Sequence, residues 1–523
     1  MNGIAGRIVW TAGAQGLNQL ARIVQMFLLV PICLGAWGTG VYEDWLLAYS
    51  VTAFLALCDL GLVQFTTVRL IDAWSRQDRP RFAREWAATL GMFAVLTTVL
   101  ALLLALLWIA PQWTALIPTR QLNGHSLATM ATLLAMMQVT AMLSTLGLAV
   151  YRARGDLSRS YHVSSILVLL QTAGVTVPAL VGAGPLGAAA GYCGTTLLLL
   201  AAQVVDLRVR YPDMRWRPTF LRPAAMAARV REALGYLVSP VTIAIMVNGP
   251  NLILANAGAP EGAIALFTAT RTIAGVARQL PYQFAHPAGV ELAGLLARND
   301  RGALERIYAR ASQVLAAIVG TLSGITLVAA PLVMALWTRG HISYDPYLAL
   351  ILVGETAICA PAQVAYTLLW YGGFPRPLNK ALVASTALAM GAAAALAPWF
   401  GARGVAAGIG FGEITGIAIY LSLLADRVVA RPRGTGLLRN LRTALLSFAG
   451  STAAAFVLAR LIDPRGWIGL IELGAAFAAV AAIGAYAFVL DRPQRARVTA
   501  TAASLVRASL RNPTVCANKA KDT

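Results

Sequence analysis

Long apolar runs follow one another along the whole chain, separated by short segments where Arg, Asp, Asn, Gly and Pro gather. A membrane-crossing helix needs about 20 predominantly apolar residues. On that measure the pattern predicts fourteen spans, near 8–34, 45–68, 87–110, 126–150, 161–181, 187–206, 234–257, 262–287, 311–337, 346–371, 381–400, 404–425, 443–460 and 467–490. Several end in Gly/Pro turns such as Gly182-Ala183-Gly184-Pro185, which suit sharp reversals. The connecting loops are short and leave no room for a soluble domain. The fold class expected is therefore all-α and integral to the membrane.

Two stretches recur. Arg76-Gln77-Asp78-Arg79, followed by Arg84, matches Arg298-Asn299-Asp300-Arg301, followed by Arg306, and Gly187-Ala188-Ala189-Ala190-Gly191 matches Gly404-Val405-Ala406-Ala407-Gly408. The pairs align span 2 with span 8 and span 6 with span 12. This predicts two six-helix lobes related by a parallel pseudo-two-fold, plus two C-terminal helices. The expected organisation is an N-lobe over 1–207, a basic cytoplasmic linker over 208–233, a C-lobe over 234–426, spans 13 and 14 over 427–490, and a basic cytoplasmic tail over 491–523. Transporters built from such repeats hold their substrate between the halves.

Composition agrees. The chain of 523 residues is 58% apolar and 12% charged, with a mean hydropathy of +0.67. Soluble domains carry about 25% charged residues, so this chain could not cover a soluble surface, and it is too apolar to be disordered. Net charge is +20, which in a soluble protein would suggest nucleic acid. Here the placement of the charge says otherwise. Of 42 Lys and Arg residues, five (Arg120, Arg339, Arg403, Arg460 and Arg465) fall in the segments on one side, and three (Arg22, Arg271 and Arg278) fall within spans. The rest collect on the other side, together with both termini. The positive-inside bias makes that side cytoplasmic and no nucleic-acid partner is expected. The five Cys (33, 58, 193, 359 and 516) form neither a disulfide framework nor a zinc site, so no metal is expected. The first apolar stretch continues into the multi-span pattern and does not read as a cleavable signal peptide.

Ionisable groups within a membrane cost about 2.5–3.5 kcal/mol each, and each needs a reason. In span 1, Thr11, Gln15, Asn18, Arg22 and Gln25 share one helical face. That face either lines a watery cavity, with Arg22 as an anion anchor, or joins helices, with Arg22 paired to a carboxylate such as Asp59. In span 8, Arg271 and Arg278 lie seven residues apart on one face that Tyr282 continues. A pyrophosphate would suit these two guanidinium forks, and the alternative is that Arg278 snorkels to the cytoplasmic surface. His286 reads as a helix-end residue. The acidic residues within spans are Asp59, Glu355 and Glu413, and Glu355 shares a stripe with Cys359, Gln363, Tyr366 and Trp370. Such carboxylates serve ion-coupled transport or pair structurally with Arg. No cofactor is expected, while coupling to H⁺ or Na⁺ stays open. Asn248-Gly249-Pro250-Asn251 interrupts span 7, as a hinge or as a kink.

One segment carries a family resemblance: Leu34-Gly35, then Tyr42-Glu43-Asp44-Trp45-Leu46-Leu47, then Leu55-Ala56-Leu57-Cys58-Asp59-Leu60-Gly61-Leu62. It resembles the first hairpin of bacterial polysaccharide-biosynthesis flippases, which serve O-antigen and exopolysaccharide assembly. They belong to the multidrug/oligosaccharidyl-lipid/polysaccharide exporter superfamily. The loop at 76–79 and Arg154-Gly155-Asp156 also look familial. Span 1 resembles neither the lipid II branch nor the multidrug exporters. The resemblance implies alternating access in the bacterial inner membrane through a cavity lined by helices 1, 2, 7 and 8. It implies an undecaprenyl-pyrophosphate-linked oligosaccharide as cargo, moving from the cytoplasmic to the periplasmic leaflet. Arg22, Arg271 and Arg278 would meet the pyrophosphate, and Gln15, Asn18, Gln25, Asn248, Asn251 and Tyr282 would line the cavity. Membrane lipids, a polysaccharide polymerase and other assembly proteins would be partners. An ion-coupled small-molecule exporter is the alternative. A membrane glycosyltransferase or polymerase, with Glu43-Asp44 as a mimic of an acidic metal site, fits less well because the long outer loop such enzymes need is missing, and no enzyme activity is expected.

Overall fold

The structure, a computed structural model, describes residues 2–484 except 123, 215 and 431–433, with side chains at 2–12, 280–284 and 483–484 also outside the description. The tail 491–523 and the side chains of Thr11 and Tyr282 thus lie outside the described residues. Among the described residues there is no strand. In chain order the helices are α1 (Asn2–Ala53), α2 (Leu62–Ser75), α3 (Arg79–Ile109), α4 (Gly124–Ala153), α5 (Leu157–Leu180), α6 (Gly184–Arg210), α7 (Pro223–Ala233), α8 (Val238–Asn256), α9 (Ala263–Ala297), α10 (Arg301–Trp337), α11 (Pro346–Cys359), α12 (Ala362–Tyr371), α13 (Pro375–Glu413), α14 (Ser422–Val428), α15 (Thr435–Ile462) and α16 (Gly466–Gly484). A π-helical segment, Ile414–Leu421, joins α13 to α14.

Nine helical stretches among the described residues are long and apolar enough to cross a membrane, ten if α11 and α12 count together. Two of the nine, Gly13–Ser75 and Pro375–Val428, run for 63 and 54 residues, well beyond one crossing. Each turns at a glycine with positive φ, Gly38 at 76° and Gly401 at 53°, a region open to residues without a Cβ.

Some spans are less simple than the hydrophobic pattern suggested. Span 2 is interrupted by a 3₁₀ turn at Phe54–Asp59 and by left-handed Leu60 and Gly61. A Cβ on Gly61 would lie 2.4 Å from the Ala233 carbonyl of α7, so the close approach of the linker helix requires glycine there. Span 10 bends by 49° between α11 and α12, where Pro361 has no N–H to donate. Span 7 departs the other way: the Asn248–Asn251 stretch does not break α8, which runs helically through Pro250. Span 8 continues as helix to Ala297.

The turns at 76–79 and 298–301 have the same build. Gln77 and Asn299 are left-handed (φ 58° and 57°). The Asp78 amide donates to Ala73 O at 3.0 Å and the Asp300 amide to Leu295 O at 3.1 Å, a Schellman closure of the preceding helix. The same aspartates then cap the following helices, accepting from Arg81 N at 2.9 Å and Ala303 N at 3.0 Å.

Among the described residues three apolar cores hold the molecule together. One includes Leu34, Trp45, Leu134, Phe267, Met334 and Val405, and draws on both halves of the chain at the end away from the basic turns. At the basic end there are two cores. Phe65, Phe82, Trp86 and Tyr151 belong to the first half, and Leu292, Tyr308, Leu368 and Leu378 to the second. The halves are thus welded at one end and packed separately at the other. The linker helix α7 stays with the first half, through Arg229–Glu85 at 2.6 Å and Arg69–Glu232 at 2.7 Å. Helix α15 lies close on α10 because Gly320 and Gly324 carry no side chain. A Cβ at either would strike Ala444 O or Ser451 Oγ, the small-residue packing that membrane helices use in place of a hydrophobic drive.

Candidate functional site: a central cavity and its carboxylate–arginine cluster

Between the halves lies a cavity of about 420 Å³, walled by α1 (Met26, Tyr49, Ser50), α8 (Asn248, Asn251), α9 (Thr268, Arg271, Arg278, Gln279), α11 (Glu355) and α13 (Glu413). A second cavity of about 390 Å³, reaching Ser239, Gln363, Tyr366 and Ser385, shares Arg271, Arg278 and Glu413 with it.

Arg271 owes its position to Pro250. Proline in a helix leaves the carbonyl four residues back without a donor, and here that carbonyl belongs to Met246. Arg271 Nη2 donates to Met246 O at 2.8 Å and Nη1 to Val247 O at 3.2 Å, so the guanidinium supplies the donor that the proline withholds from α8. Asn251, one residue on, donates to Ser50 Oγ at 3.1 Å and accepts from Thr268 Oγ1 at 3.4 Å. It thereby ties α8 to both α1 and α9. Asn248 turns back on its own helix, to Ala244 O at 3.1 Å.

Arg278 meets Glu413 at 2.5 Å and Glu355 at 3.9 Å. Both carboxylate side chains are under 10% exposed. Ligating atoms of Glu355, Cys359 and Glu413 all lie within 4.8 Å of one another. Local backbone brings them together. The α11–α12 bend follows Cys359 directly, and the π segment follows Glu413 directly; such segments are frequent at functional sites. Gly412 allows the two halves of α13 to meet, since a Cβ there would lie 2.4 Å from Ala389 N. The three side chains could hold a cation in place of the Arg278 guanidinium.

Not every predicted residue lines the cavity. Asn18 is buried and turned toward α5, where it donates to Ser165 Oγ at 3.4 Å. Arg22 is exposed and its Nε donates to Asn18 Oδ1 at 3.2 Å on its own helix. It lies within electrostatic reach of Tyr192, whose ring stacks on the cavity-lining Tyr49 at 6.5 Å. Gln15 and Gln25 are half-buried on the same helix and outside the cavity lining. Asp59 neither pairs with Arg22 nor joins Glu355 and Glu413; its carboxylate accepts from Gly61 N at 3.0 Å and Val63 N at 3.3 Å, starting α2. Sequence reasoning passed over Gln19, which donates to Gln279 Oε1 at 2.6 Å across the halves. It is one position off the polar stripe, so periodicity did not select it.

The contacts that seal the cavity at the end away from the basic turns were also missed. Buried Glu43 accepts from the amides of Ile264 at 2.8 Å and Ala265 at 3.1 Å, in the first turn of α9, where unpaired N–H groups and the helix dipole favour a negative charge. Asp44, fully buried, accepts from Arg120 N, Gln121 N and Leu122 N at 2.7–2.8 Å. The Arg120 guanidinium donates to Ala259 O, and Trp337 Nε1 to Phe27 O at 2.6 Å. Both acids of the Glu43-Asp44 pair are therefore engaged by backbone amides. The available signal was two adjacent acids at the apolar end of a span.

No family model matches the chain, and no curated protein does. Solved structures do. The chain superposes on lipid II flippase MurJ in an inward closed conformation with a TM-score of 0.63 at 12% identity, covering 91% of this chain and 100% of that one. An inward-facing multidrug resistance MATE family transporter of the MOP superfamily gives 0.62 at 15% identity, over 81% and 98%. The outward-facing conformation of such a transporter gives 0.54 at 16%, over 81% and 95%. At these identities the likeness is one of fold. Among the described residues the chain is helical between its turns, with helices long and apolar enough to cross a membrane, and it has the fold of these transporter structures.

Proposed function

We propose that the protein is a flippase that carries an undecaprenyl-pyrophosphate-linked oligosaccharide from the cytoplasmic to the periplasmic leaflet by alternating access. Its fourteen crossings would comprise two parallel six-helix lobes and a C-terminal pair. The observation that carries the cargo assignment is Arg22: an exposed guanidinium on a membrane-embedded helix, with its one described hydrogen bond to its own helix. A cation so placed offers its free nitrogens to an anion, and guanidinium forks suit phosphate oxygens. Arg271, in the cavity wall on α9, adds a second positive charge already held in position by two carbonyls.

The separate cores at the basic end and the shared core at the other support an inward-open state. In it Glu43 acts as the latch of the outer gate. Glu355 and Glu413 release Arg278 on taking up H⁺ or Na⁺, which couples the cycle to an ion gradient. Of the two alternatives, an ion-coupled small-molecule exporter gains support from this carboxylate pair in the cavity wall.

The test is flipping of a pyrophosphate-linked oligosaccharide lipid in proteoliposomes. The wild type should transport, and Arg22→Ala should slow transport at least about tenfold, one lost charge-assisted contact being worth about 1.5–3 kcal/mol. Failure of the folded wild type with every sugar lipid tried, alongside cation-driven export of a dye, would replace this reading with the exporter.

The latch has its own test. Glu43→Ala leaves two amides of α9 without an acceptor and should shift the gate equilibrium outward by about 1.5–3 kcal/mol, roughly 10- to 150-fold. A cysteine placed at Ser50 should then react with a membrane-impermeant thiol reagent from the outer side. No gain in reactivity over the Ser50→Cys parent would show that Glu43 does not hold the gate.

A further inference from the structure

A cavity of about 740 Å³, larger than the central one, does not lie between the lobes at mid-depth. It is a groove at the end away from the basic turns, bounded by Thr39 of α1, the α8–α9 turn, the α10–α11 turn and the Gly401 corner of α13. Its size falls within the ~300–1,000 Å³ of small-ligand sites. None of its residues belongs to the carboxylate–arginine cluster.

Two kinds of surface meet there. On one wall stand Trp399 and Phe400, 82% and 63% exposed. The Gly401 turn sets them apart from Arg403 on the other side of the corner. The facing wall is polar. Arg403 is anchored through Nε to Asp345 Oδ2 at 2.7 Å, and Asp345 is itself fixed by the amides of Tyr347 and Leu348 at 3.0 and 3.2 Å. The terminal nitrogens of Arg403 are left without a hydrogen-bond partner among the described residues. Glu261 and His341 are exposed beside it, with side chains likewise unengaged among the described residues.

The charges do not suit an ion. Asp345 is already satisfied, and Glu261 and Arg403 bring one negative and one positive charge to the same groove, so it is neither an anion trap nor a cation box. Anchoring of aromatics at a membrane interface accounts for Trp399 and Phe400 but not for the polar wall opposite. A sugar fits both walls. Its C–H face packs on an aromatic ring, and its neighbouring hydroxyls pair with planar carboxylate and guanidinium groups, which bind two atoms at once. Gly262 and Ala263 line the groove and directly precede the two amides held by Glu43, so a gate that opens at Glu43 would change the shape of the groove.

We propose that this groove is an oligosaccharide subsite on the outer face, which receives the sugar headgroup as it leaves the central cavity. The inference rests on the flippase reading for its cargo, and it can fail separately. The probe is a panel of lipid-free neutral, N-acetylated and acidic oligosaccharides of three to six sugars, presented to the full chain in nanodiscs and read by saturation-transfer NMR. At least one should bind. Glu261→Gln combined with Trp399→Ala should weaken it at least tenfold, with melting temperature unchanged because both side chains are exposed. Arg22→Ala should leave it within twofold. No binding across the panel overturns the proposal. So does binding that Arg22→Ala removes and the groove variant does not, which would put the sugar in the central cavity. Flipping without groove binding sinks the subsite alone, whereas groove binding without flipping of any sugar lipid sinks the transport reading.

Discussion

Arg278→Ala should abolish transport and destabilise the second half of the protein by about 3–5 kcal/mol, the cost of breaking a buried charge pair from one side. Arg278 is the cation between two nearly buried carboxylates, Glu413 at 2.5 Å and Glu355 at 3.9 Å. Its removal leaves two acids facing each other across a low-dielectric space. The effect should be largely cured in stability, and not in transport, by pairing Arg278→Ala with Glu413→Gln. Thermal unfolding and flipping, measured on both single variants and the double, separate the two roles. If the double variant is as unstable as the sum of the singles, the pairing is not what holds α9 to α13. If it regains transport as well, the cluster is structural and takes no part in coupling.

Arg154→Ala should cost about 2–4 kcal/mol and loosen the basic end of the first half. The Arg154 side chain is only 7% exposed and meets Asp213 at 2.7 Å. Its guanidinium lies 4.2 Å from the ring centroid of Trp74, 4.9 Å from Phe82 and 4.8 Å from Tyr211. Cation–π contacts reach about 2 kcal/mol when desolvated, and here one cation joins α2, α3 and the segment after α6. Arg79 adds to the same stack, 3.8 Å from Trp74. Arg154→Lys keeps the charge but not the planar fork, so its loss should be intermediate. Hydrogen exchange across 72–82 and 150–160 measures the loosening. Equal protection in wild type and Arg154→Ala would mean that apolar packing of these rings suffices.

Arg154-Gly155-Asp156 carries part of the family resemblance without a task of its own, and the ring contacts of Arg154 supply one. The same holds for Glu43 and Asp44. As neighbours in sequence they suggested a metal-like pair, yet their partners lie about 220 and 77 residues away, beyond the reach of any local pattern. Asn18 and Gln19 make the point on a finer scale. One helical position, a rotation of about 100°, separates a contact with α5 from a contact with the opposite half, and periodicity without a partner cannot tell which face is which.

What the amino-acid sequence determined by itself was that the chain is built of long apolar helices, and where several of its turns fall. Lipid cannot satisfy backbone hydrogen bonds, so each long apolar run must close its own as helix. Gly, Asp and Asn at the turns act within a few residues, as the matched closures at Asp78 and Asp300 show. Only the tertiary structure decided which polar groups meet. Arg278 and Glu413 stand 135 residues apart, and Arg271 finds its carbonyls only because Pro250 on another helix has freed one of them. Such pairings depend on how each helix is rotated and which neighbour it faces. Those choices are set by packing summed over the whole bundle, where glycines such as Gly412 and Gly320 admit a close approach that no single helix encodes.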